Sequence, residues 1–423
     1  MAEDKLSGLI GHPLGHSVSP FIHEYLGSRL GVSVKYGKFD IEEKDITDTV
    51  KSFLNEGFAG LNVTIPYKST IMQELVAIDD APSKLGAVNT IVNTGDGFKG
   101  YNTDYLGLKR ELDYYGIDIK DKNVVILGAG GASRAVKYLC TLFGAKQILQ
   151  FNRTPGKDGA LSYSEALSLP KEAKQIVFQT TSVGLFPNVS DSPIMEESFF
   201  DGVEYGIDII YNPLETQFMK MVKAHGGIAY NGLRMLLYQA VEAFKLFYKI
   251  DDISPNIEED CYLNLLFNMN KNIVLCGMMG CGKSTTGRKL SKDYDALFID
   301  TDEYIEHSLG MSINDIFAQK GEEAFRQMEH EALGELLLKY RNSDKKIVYS
   351  LGGGMCSKMN MDLIKQLGYV CYIKCDAKTL CERLKNDTSR PLLKDKDIEI
   401  EIESLLSKRE SLYLEACDEV ISY

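Results

Sequence analysis

A chain of 423 residues, 44% hydrophobic and 25% charged, holds enough apolar material for two or three globular domains, which excludes a disordered or low-complexity protein. Its formal net charge of -13 argues against a nucleic-acid partner, because phosphate backbones are held by an excess of Lys and Arg. The opening MAEDKLSGLIGHPLGHS lacks a basic segment followed by an apolar stretch, and no later run reaches the roughly 18 apolar residues of a membrane span. With nine cysteines and no C-x-x-C pair, a soluble, cytoplasmic, thiol-reduced protein is expected.

Up to about residue 104, short β-rich runs (Leu6 to Ile10, Val34 to Phe39, Gly60 to Ile65) alternate with helical stretches, which predicts a first α/β unit. A second begins near Val124 and continues through Ile148 to Phe151, Gln175 to Phe178 and Tyr205 to Ile210, the spacing of a doubly wound parallel sheet. From Gly232 to Lys249, apolar residues at helical spacing (Leu233, Leu236, Leu237, Ala240, Val241, Phe244) predict a long amphipathic helix that packs back on the first unit. The polar, acidic KIDDISPNIEEDCYLN reads as a linker, with or without a short docking helix, before a third α/β unit from about Lys271. The boundaries expected are 1–104 with 231–250, then 105–230, a linker at 251–271, and 272–423.

Two glycine-rich loops of different type punctuate this pattern. GAGGAS, with Gly128, Gly130, Gly131 and Ala132, follows the apolar run Val124 to Leu127 as a dinucleotide-binding strand-turn-helix does, although Ser133 stands where Gly or Ala is usual. After the next strand come Asn152, Arg153, Thr154 and Lys157, where an NAD enzyme typically places an acid for the ribose 2'-hydroxyl. Basic residues there suit a 2'-phosphate, so NADP(H) is expected over NAD(H). The second loop, Gly277 to Thr285 with Gly280 and Gly282, satisfies G-x-x-x-x-G-K-S after the strand-like Ile273 to Cys276. In such a P-loop, backbone N–H groups cradle ATP phosphates, Lys283 neutralises them, and the Ser284 hydroxyl ligates Mg²⁺.

Five further segments, G-H-P-x-x-H-S-x-S-P (11 to 20), N-V-T-I-P-Y-K (62 to 68), A-V-N-T (87 to 90), N-T-D (102 to 104) and Y-N-P-x-x-T (211 to 216), together resemble shikimate dehydrogenase over residues 1 to about 250. The resemblance implies a substrate domain beside a Rossmann NADP domain and reversible reduction of 3-dehydroshikimate to shikimate. It makes Lys68 and Asp104 the catalytic pair, where an ammonium stabilises and protonates the developing alkoxide and a carboxylate orients it. It assigns Ser17, Ser19, Thr64, Asn89 and Gln239 to the substrate, with Tyr211 a further contact. At Gln179 to Leu185 the sequence departs from the family pattern, which tends to place Asn first and Met last.

F-I-D-T-D (298 to 302), G-E-E-A-F-R-x-x-E (321 to 329), Gly352-Gly353-Gly354, R-P-L-L (390 to 393) and K-R-E-S-L-Y (408 to 413) resemble shikimate kinase over about 272 to 420. That resemblance implies phosphorylation of the shikimate 3-hydroxyl. Asp302 would hold the attacking hydroxyl as base, Asp300 would support the Mg²⁺ shell, Arg326 and Arg409 would clamp the substrate carboxylate, and Arg390 would belong to a lid over ATP. Glu329 is expected to orient Arg326. The family usually adds a helix after the strand written here A-x-D-x-V-I, whereas this sequence ends at Tyr423. His12, His16 and His23 have no partner at metal spacing, so zinc is not expected.

The two resemblances converge on one molecule: a bifunctional shikimate-pathway enzyme using NADPH, then ATP and Mg²⁺, on small-molecule substrates. Two alternatives stay open from sequence, a C-terminal nucleotide-binding regulatory module without turnover, and quinate as the preferred dehydrogenase substrate.

Overall fold

The computed structural model describes residues 4–15, 17–270, 272–385 and 397–423. The chain divides into two compact units, Met1–Ser254 and Pro255–Tyr423.

The first unit holds two sheets. One contains β1 (Lys5–Gly11), β2 (Val34–Asp40), β3 (Gly60–Val63), β4 (Ala77–Ile78), β5 (Thr90–Asn93) and β6 (Phe98–Tyr101) in the order β2-β1-β3-β5-β6-β4. Its β2-β1-β3 part is parallel, while β5 runs antiparallel to both β3 and β6. Burial of Ile10, Leu61, Val63, Val88 and Ile91 with the mutually tilted rings of Phe53 and Phe58 forms its core. The other sheet contains β7 (Asn123–Leu127), β8 (Gln147–Asn152), β9 (Leu161–Ser162), β10 (Ile176–Gln179), β11 (Tyr205–Asp208) and β12 (Ile228–Asn231) in the order β12-β11-β10-β7-β8-β9. All its pairings are parallel, and its central strands are apolar throughout because helices cover both faces.

Helix Leu233–Tyr248 leaves the second sheet and packs on helices Asp104–Tyr114 and Ser19–Leu30, as the apolar spacing of 232–249 predicts. The approach to Asp104–Tyr114 is close. A Cβ on Gly107 would lie 2.7 Å from both the Gln239 nitrogen and the Met235 carbonyl oxygen, backbone atoms that cannot swing aside.

The second unit is one parallel sheet of β13 (Asn272–Cys276), β14 (Leu297–Asp300), β15 (Ile347–Ser350), β16 (Tyr369–Lys374) and β17 (Glu419–Ser422), ordered β14-β15-β13-β16-β17. The segment 251–271, expected to be a linker with or without a short docking helix, is mostly the 15-residue helix Pro255–Met269, which belongs to this unit and packs on β13 and β17. Its acidic start, Asn256 to Asp260, resembles solvated linker; the apolar residues that fix it, Leu263, Leu265, Leu266 and Phe267, come only afterwards. Among the described residues no helix is long and apolar enough to cross a membrane.

One ionisable group is built into the second sheet. Asp208, fully buried at the end of β11, accepts from the Ile210 nitrogen at 2.9 Å and the Thr216 hydroxyl at 2.7 Å, which ties down the turn leading to helix Gln217–Ala224. Burial pushes its carboxyl up to about 7, against those two donors.

Two expectations follow. Gly107→Ala should destabilise the first unit by about 1–3 kcal/mol through overpacking between two helix backbones, read as a lowered melting temperature; an unchanged value would contradict the close approach. Because the folded Asp208 binds its proton more tightly than the unfolded chain, it adds stability at acid pH that is lost as pH rises from about 4 to about 7. Asp208→Asn should flatten that part of the stability profile in denaturant titrations, and a wild-type slope in the variant would contradict it.

Candidate active sites

In the first unit, the chain leaves β7 through Gly128, whose φ of 119° places it where side chains are strained, and enters helix Gly131–Leu142. A Cβ on Gly128 would meet the Thr180 hydroxyl oxygen at 2.5 Å, so only glycine permits the turn. Gln150 braces the loop by donating to the Gly128 carbonyl at 2.9 Å, and the Ser133 hydroxyl donates to the Gly130 carbonyl at 2.6 Å. Ser133 in the last motif position therefore holds the loop closed. The backbone N–H groups at this helix start suit a pyrophosphate. Past β8, Asn152 donates to the Thr154 carbonyl at 3.1 Å, and Arg153 and Lys157 are exposed, two cations available to a phosphate.

Lys68 follows β3 and Asp104 opens helix Asp104–Tyr114. They meet with Nζ to Oδ2 at 2.6 Å, both largely shielded from solvent. Asn89 donates to the other Asp104 oxygen at 2.8 Å. A Cβ on Gly131 would sit 3.8 Å from the Lys68 side chain, so the lysine stands against the dinucleotide loop. Ser17 donates to the Ser19 hydroxyl at 3.2 Å, at the start of helix Ser19–Leu30. Thr64 lies just beyond β3, Tyr211 just beyond β11, and Gln239 on helix Leu233–Tyr248, where its amide donates to the Leu236 carbonyl at 2.9 Å. Where the family pattern has Asn, the buried Gln179 accepts from the Thr181 nitrogen and donates to the Thr181 and Val183 carbonyls, pinning the loop after β10 across three contacts.

In the second unit, Gly277, Gly280 and Gly282 have φ of 140°, 79° and 103°, and helix Lys283–Asp293 begins at once behind them. The buried Lys283 ammonium donates to the Gly277 and Met278 carbonyls at 3.0 and 2.9 Å, curling the loop around itself. Asp300 does two things: Oδ1 caps the next helix at the Asp302 nitrogen, and Oδ2 accepts the Ser284 hydroxyl at 2.6 Å. A hydroxyl held against one carboxylate is the sparse oxygen set through which Mg²⁺ is bound together with phosphate oxygens, and it fits that ion. Among the described residues no cluster of three or more His, Cys, Asp or Glu could hold a metal by itself.

Opposite the loop lie the three glycines after β15. A Cβ on Gly352 would come within 2.4 Å of an Asp302 carboxylate oxygen, and one on Gly354 within 2.2 Å of the Arg326 guanidinium. Arg409 donates to the Gly353 carbonyl at 3.1 Å. Arg326 pairs with the buried Glu329 at 2.7 Å and with Glu322 at 2.8 Å, and burial raises the Glu329 carboxyl despite that pairing. A cavity of about 690 Å³ brings Lys283, Ser284, Thr285, Asp300, Asp302, Arg326, Gly353, Gly354 and Arg409 onto one lining. Phe317 and Phe325 add an apolar wall to it. Arg390 lies outside the described residues.

Sequence reasoning missed two supporting groups. Arg383 on helix Ala377–Leu384 donates to the Gly280 and Cys281 carbonyls, both at 3.2 Å, and no motif marks it. Tyr413 donates to the Gly353 carbonyl; it closes the K-R-E-S-L-Y segment one helical turn after Arg409, so the sequence marked the residue but not this contact.

The shikimate kinase family model matches residues 279–423, and that of the shikimate dehydrogenase substrate binding domain matches residues 9–91. A shikimate dehydrogenase (NADP(+)) of Caldicellulosiruptor bescii is 36% identical over 283 residues, which are 63% of this chain and 96% of that protein. One of Moorella thermoacetica is 38% identical over 262 residues, 58% of this chain and 88% of that protein. Among solved structures, a chorismate mutase/shikimate 5-dehydrogenase fusion protein from Clostridium acetobutylicum is similar with a TM-score of 0.59 and 34% identity, covering 62% of this chain and 97% of that one. The chain therefore belongs to the shikimate dehydrogenase family and carries a shikimate kinase domain fused behind it in the same polypeptide.

Proposed function

We propose that the first unit reduces 3-dehydroshikimate to shikimate with NADPH and that the second phosphorylates the 3-hydroxyl of shikimate with ATP and Mg²⁺. The observation that carries the reading is the 2.6 Å Lys68–Asp104 pair set against a dinucleotide loop, in a chain whose P-loop faces an acid and two arginines across one cavity. On this reading residues 1–104 and 231–250 hold the substrate, 105–230 hold NADP(H), and the second unit is the kinase.

Bound NADPH supplies the hydride. Lys68 then neutralises and protonates the oxygen that the ketone leaves behind, Asp104 keeps the ammonium in place, and Asn89 keeps Asp104 in place. Ser17, Ser19, Thr64, Tyr211 and Gln239 offer hydroxyl and amide partners to a carboxylated, hydroxylated ring, the kind of pocket that rejects analogues leaving its polar groups unpaired. Arg153 and Lys157 take the 2'-phosphate, beside a loop built of Gly128, Gly130, Gly131 and Ala132 with Asn152 and Thr154.

Bound MgATP supplies the phosphoryl group. Lys283 exchanges its loop carbonyls for phosphate oxygens, and Ser284 with Asp300 holds the Mg²⁺. Asp302 takes the proton of the attacking hydroxyl. Arg326 and Arg409 grip the ring carboxylate with forked hydrogen bonds, beside Gly352, Gly353 and Gly354.

Lys68→Ala should lower NADPH oxidation with 3-dehydroshikimate by about 100-fold or more while shikimate-dependent ADP release persists, and Asp302→Asn should do the reverse. Retained ketone reduction in the first variant, or wild-type phosphorylation in the second, contradicts the assigned roles. A wild-type chain that binds ATP but releases no ADP with shikimate would instead mark the second unit as a regulatory module.

A further inference from the structure

Behind Lys68 and Asp104, buried polar groups line up across the sheet of the first unit. Tyr36 on β2 reaches over β1 and donates its hydroxyl to the Asn62 amide oxygen on β3 at 2.8 Å. The Asn62 NH₂ donates to the Thr90 hydroxyl oxygen on β5 at 3.1 Å, across the register pair Asn62–Thr90. The Thr90 hydroxyl donates to the Asn89 amide oxygen at 3.0 Å, and the Asn89 NH₂ donates to Asp104 Oδ1 at 2.8 Å. None of Tyr36, Asn62, Thr90 or Asn89 exceeds 5% exposure, so water does not substitute for any link.

The direction of the chain is set at its Asp104 end. An ionised carboxylate only accepts, so Asn89 must turn its NH₂ towards Asp104. Its oxygen then faces Thr90 and also receives the Thr103 nitrogen at 2.6 Å; the Thr103 hydroxyl lies 3.0 Å from the Asn89 NH₂, which donates to it, 3.3 Å from the Asn89 oxygen, and 3.1 Å from the Thr90 hydroxyl in a contact where either hydroxyl can donate. At the far end, burial and the neighbouring Tyr248 hold the Tyr36 phenol well above its ordinary range, so it keeps the proton it donates to Asn62, while Ser19 also lies within hydrogen-bond reach of its hydroxyl. The ring of His23 stacks on Tyr36 with centroids 4.3 Å apart and stays neutral, so it adds no competing charge. With the Thr90 hydroxyl turned to the Asn89 oxygen and Thr103 donating to Thr90 or Asn89, each bond of the line donates towards Asp104, an arrangement in which the links polarise one another.

We propose that Tyr36, Asn62 and Thr90 are positioning residues for the reduction, a one-way hydrogen-bond relay that locks the Asn89 amide and thereby the Asp104 carboxylate that orients Lys68. The proposal rests on the dehydrogenase reading of this site. Loss of the relay leaves NADPH binding untouched, since none of its members belongs to the dinucleotide loop, and it acts on the step in which Lys68 delivers its proton.

Thr90→Val keeps the shape and deletes the hydroxyl, whereas Thr90→Ser keeps the hydroxyl and deletes a methyl. Thr90→Val should lower kcat for 3-dehydroshikimate about tenfold, with KM changed less than about twofold and the Kd for NADPH unchanged; Thr90→Ser should return kcat to within about twofold of wild type. Equal kcat in Thr90→Val and wild type would overturn the relay, as would a serine variant no better than the valine. If Thr90→Val does not fold, Tyr36→Phe decides, because it removes one oxygen at the far end: a kcat lowered about threefold or more with KM changed less than about twofold is expected, and an unchanged kcat, or a loss carried by KM through the Ser19 contact of the same hydroxyl, overturns the proposal. An inert wild-type chain would overturn the dehydrogenase reading and the relay with it, whereas an active wild type equalled by the variants overturns the relay alone.

Discussion

Each site begins where a central parallel strand must give way to a helix without room for a Cβ. In the first unit β7 is flanked by β8 on one side and β10 on the other, and in the second β13 is flanked by β15 and β16. At such a point the neighbouring connections leave in opposite directions and open a crevice at the carboxyl ends of the strands. The chain can enter that crevice and start a helix at once only through glycine at positive φ, Gly128 in one case and Gly277, Gly280 and Gly282 in the other. The same turn exposes the first N–H groups of the helix, which is what an anionic cofactor needs. What else lines each crevice comes from its neighbours: the first sheet brings Lys68 and Asp104 to one, and helices Thr301–Leu309, Ile313–Tyr340 and Ile398–Ala416 bring Asp302, Arg326 and Arg409 against the glycines after β15 at the other.

Charge is handled in the same way in both units. The chain carries a net charge of -13, yet the shielded cations of each site are local and partnered: Lys68 on Asp104, Lys283 on loop carbonyls, Arg326 on Glu329 and Glu322. A buried charge without such a partner would be costly, and these partners hold the cations in place. Remote acidic surface is screened over about 8 Å at physiological ionic strength and does not decide binding.

How much of this could be read from sequence follows from how local each feature is. Both glycine loops, the Lys68–Asp104 pair and the acids at 300 and 302 stand in short contiguous motifs, because backbone turns and helix starts are fixed by adjacent residues. Helix Leu233–Tyr248 was legible from its apolar spacing. Helix Pro255–Met269 was not, because its first turns are acidic and its burial depends on strands far along the chain. Arg383 reaches the P-loop from about a hundred residues away, and the Tyr36–Asn62–Thr90 line joins three strands; such contacts are set by sheet order, which no short motif encodes. Gln179 shows the reverse: a departure from a pattern that the structure fills with three loop contacts.

The central claim is that two sites in one chain act in turn on the same molecule. It is tested most directly by giving the purified full-length protein 3-dehydroshikimate, MgATP and NADPH deuterated at the transferable position, and reading the product by mass. The account predicts shikimate 3-phosphate carrying one deuterium. Deuterated shikimate with ATP intact, or a phosphorylated product without the label, would contradict it.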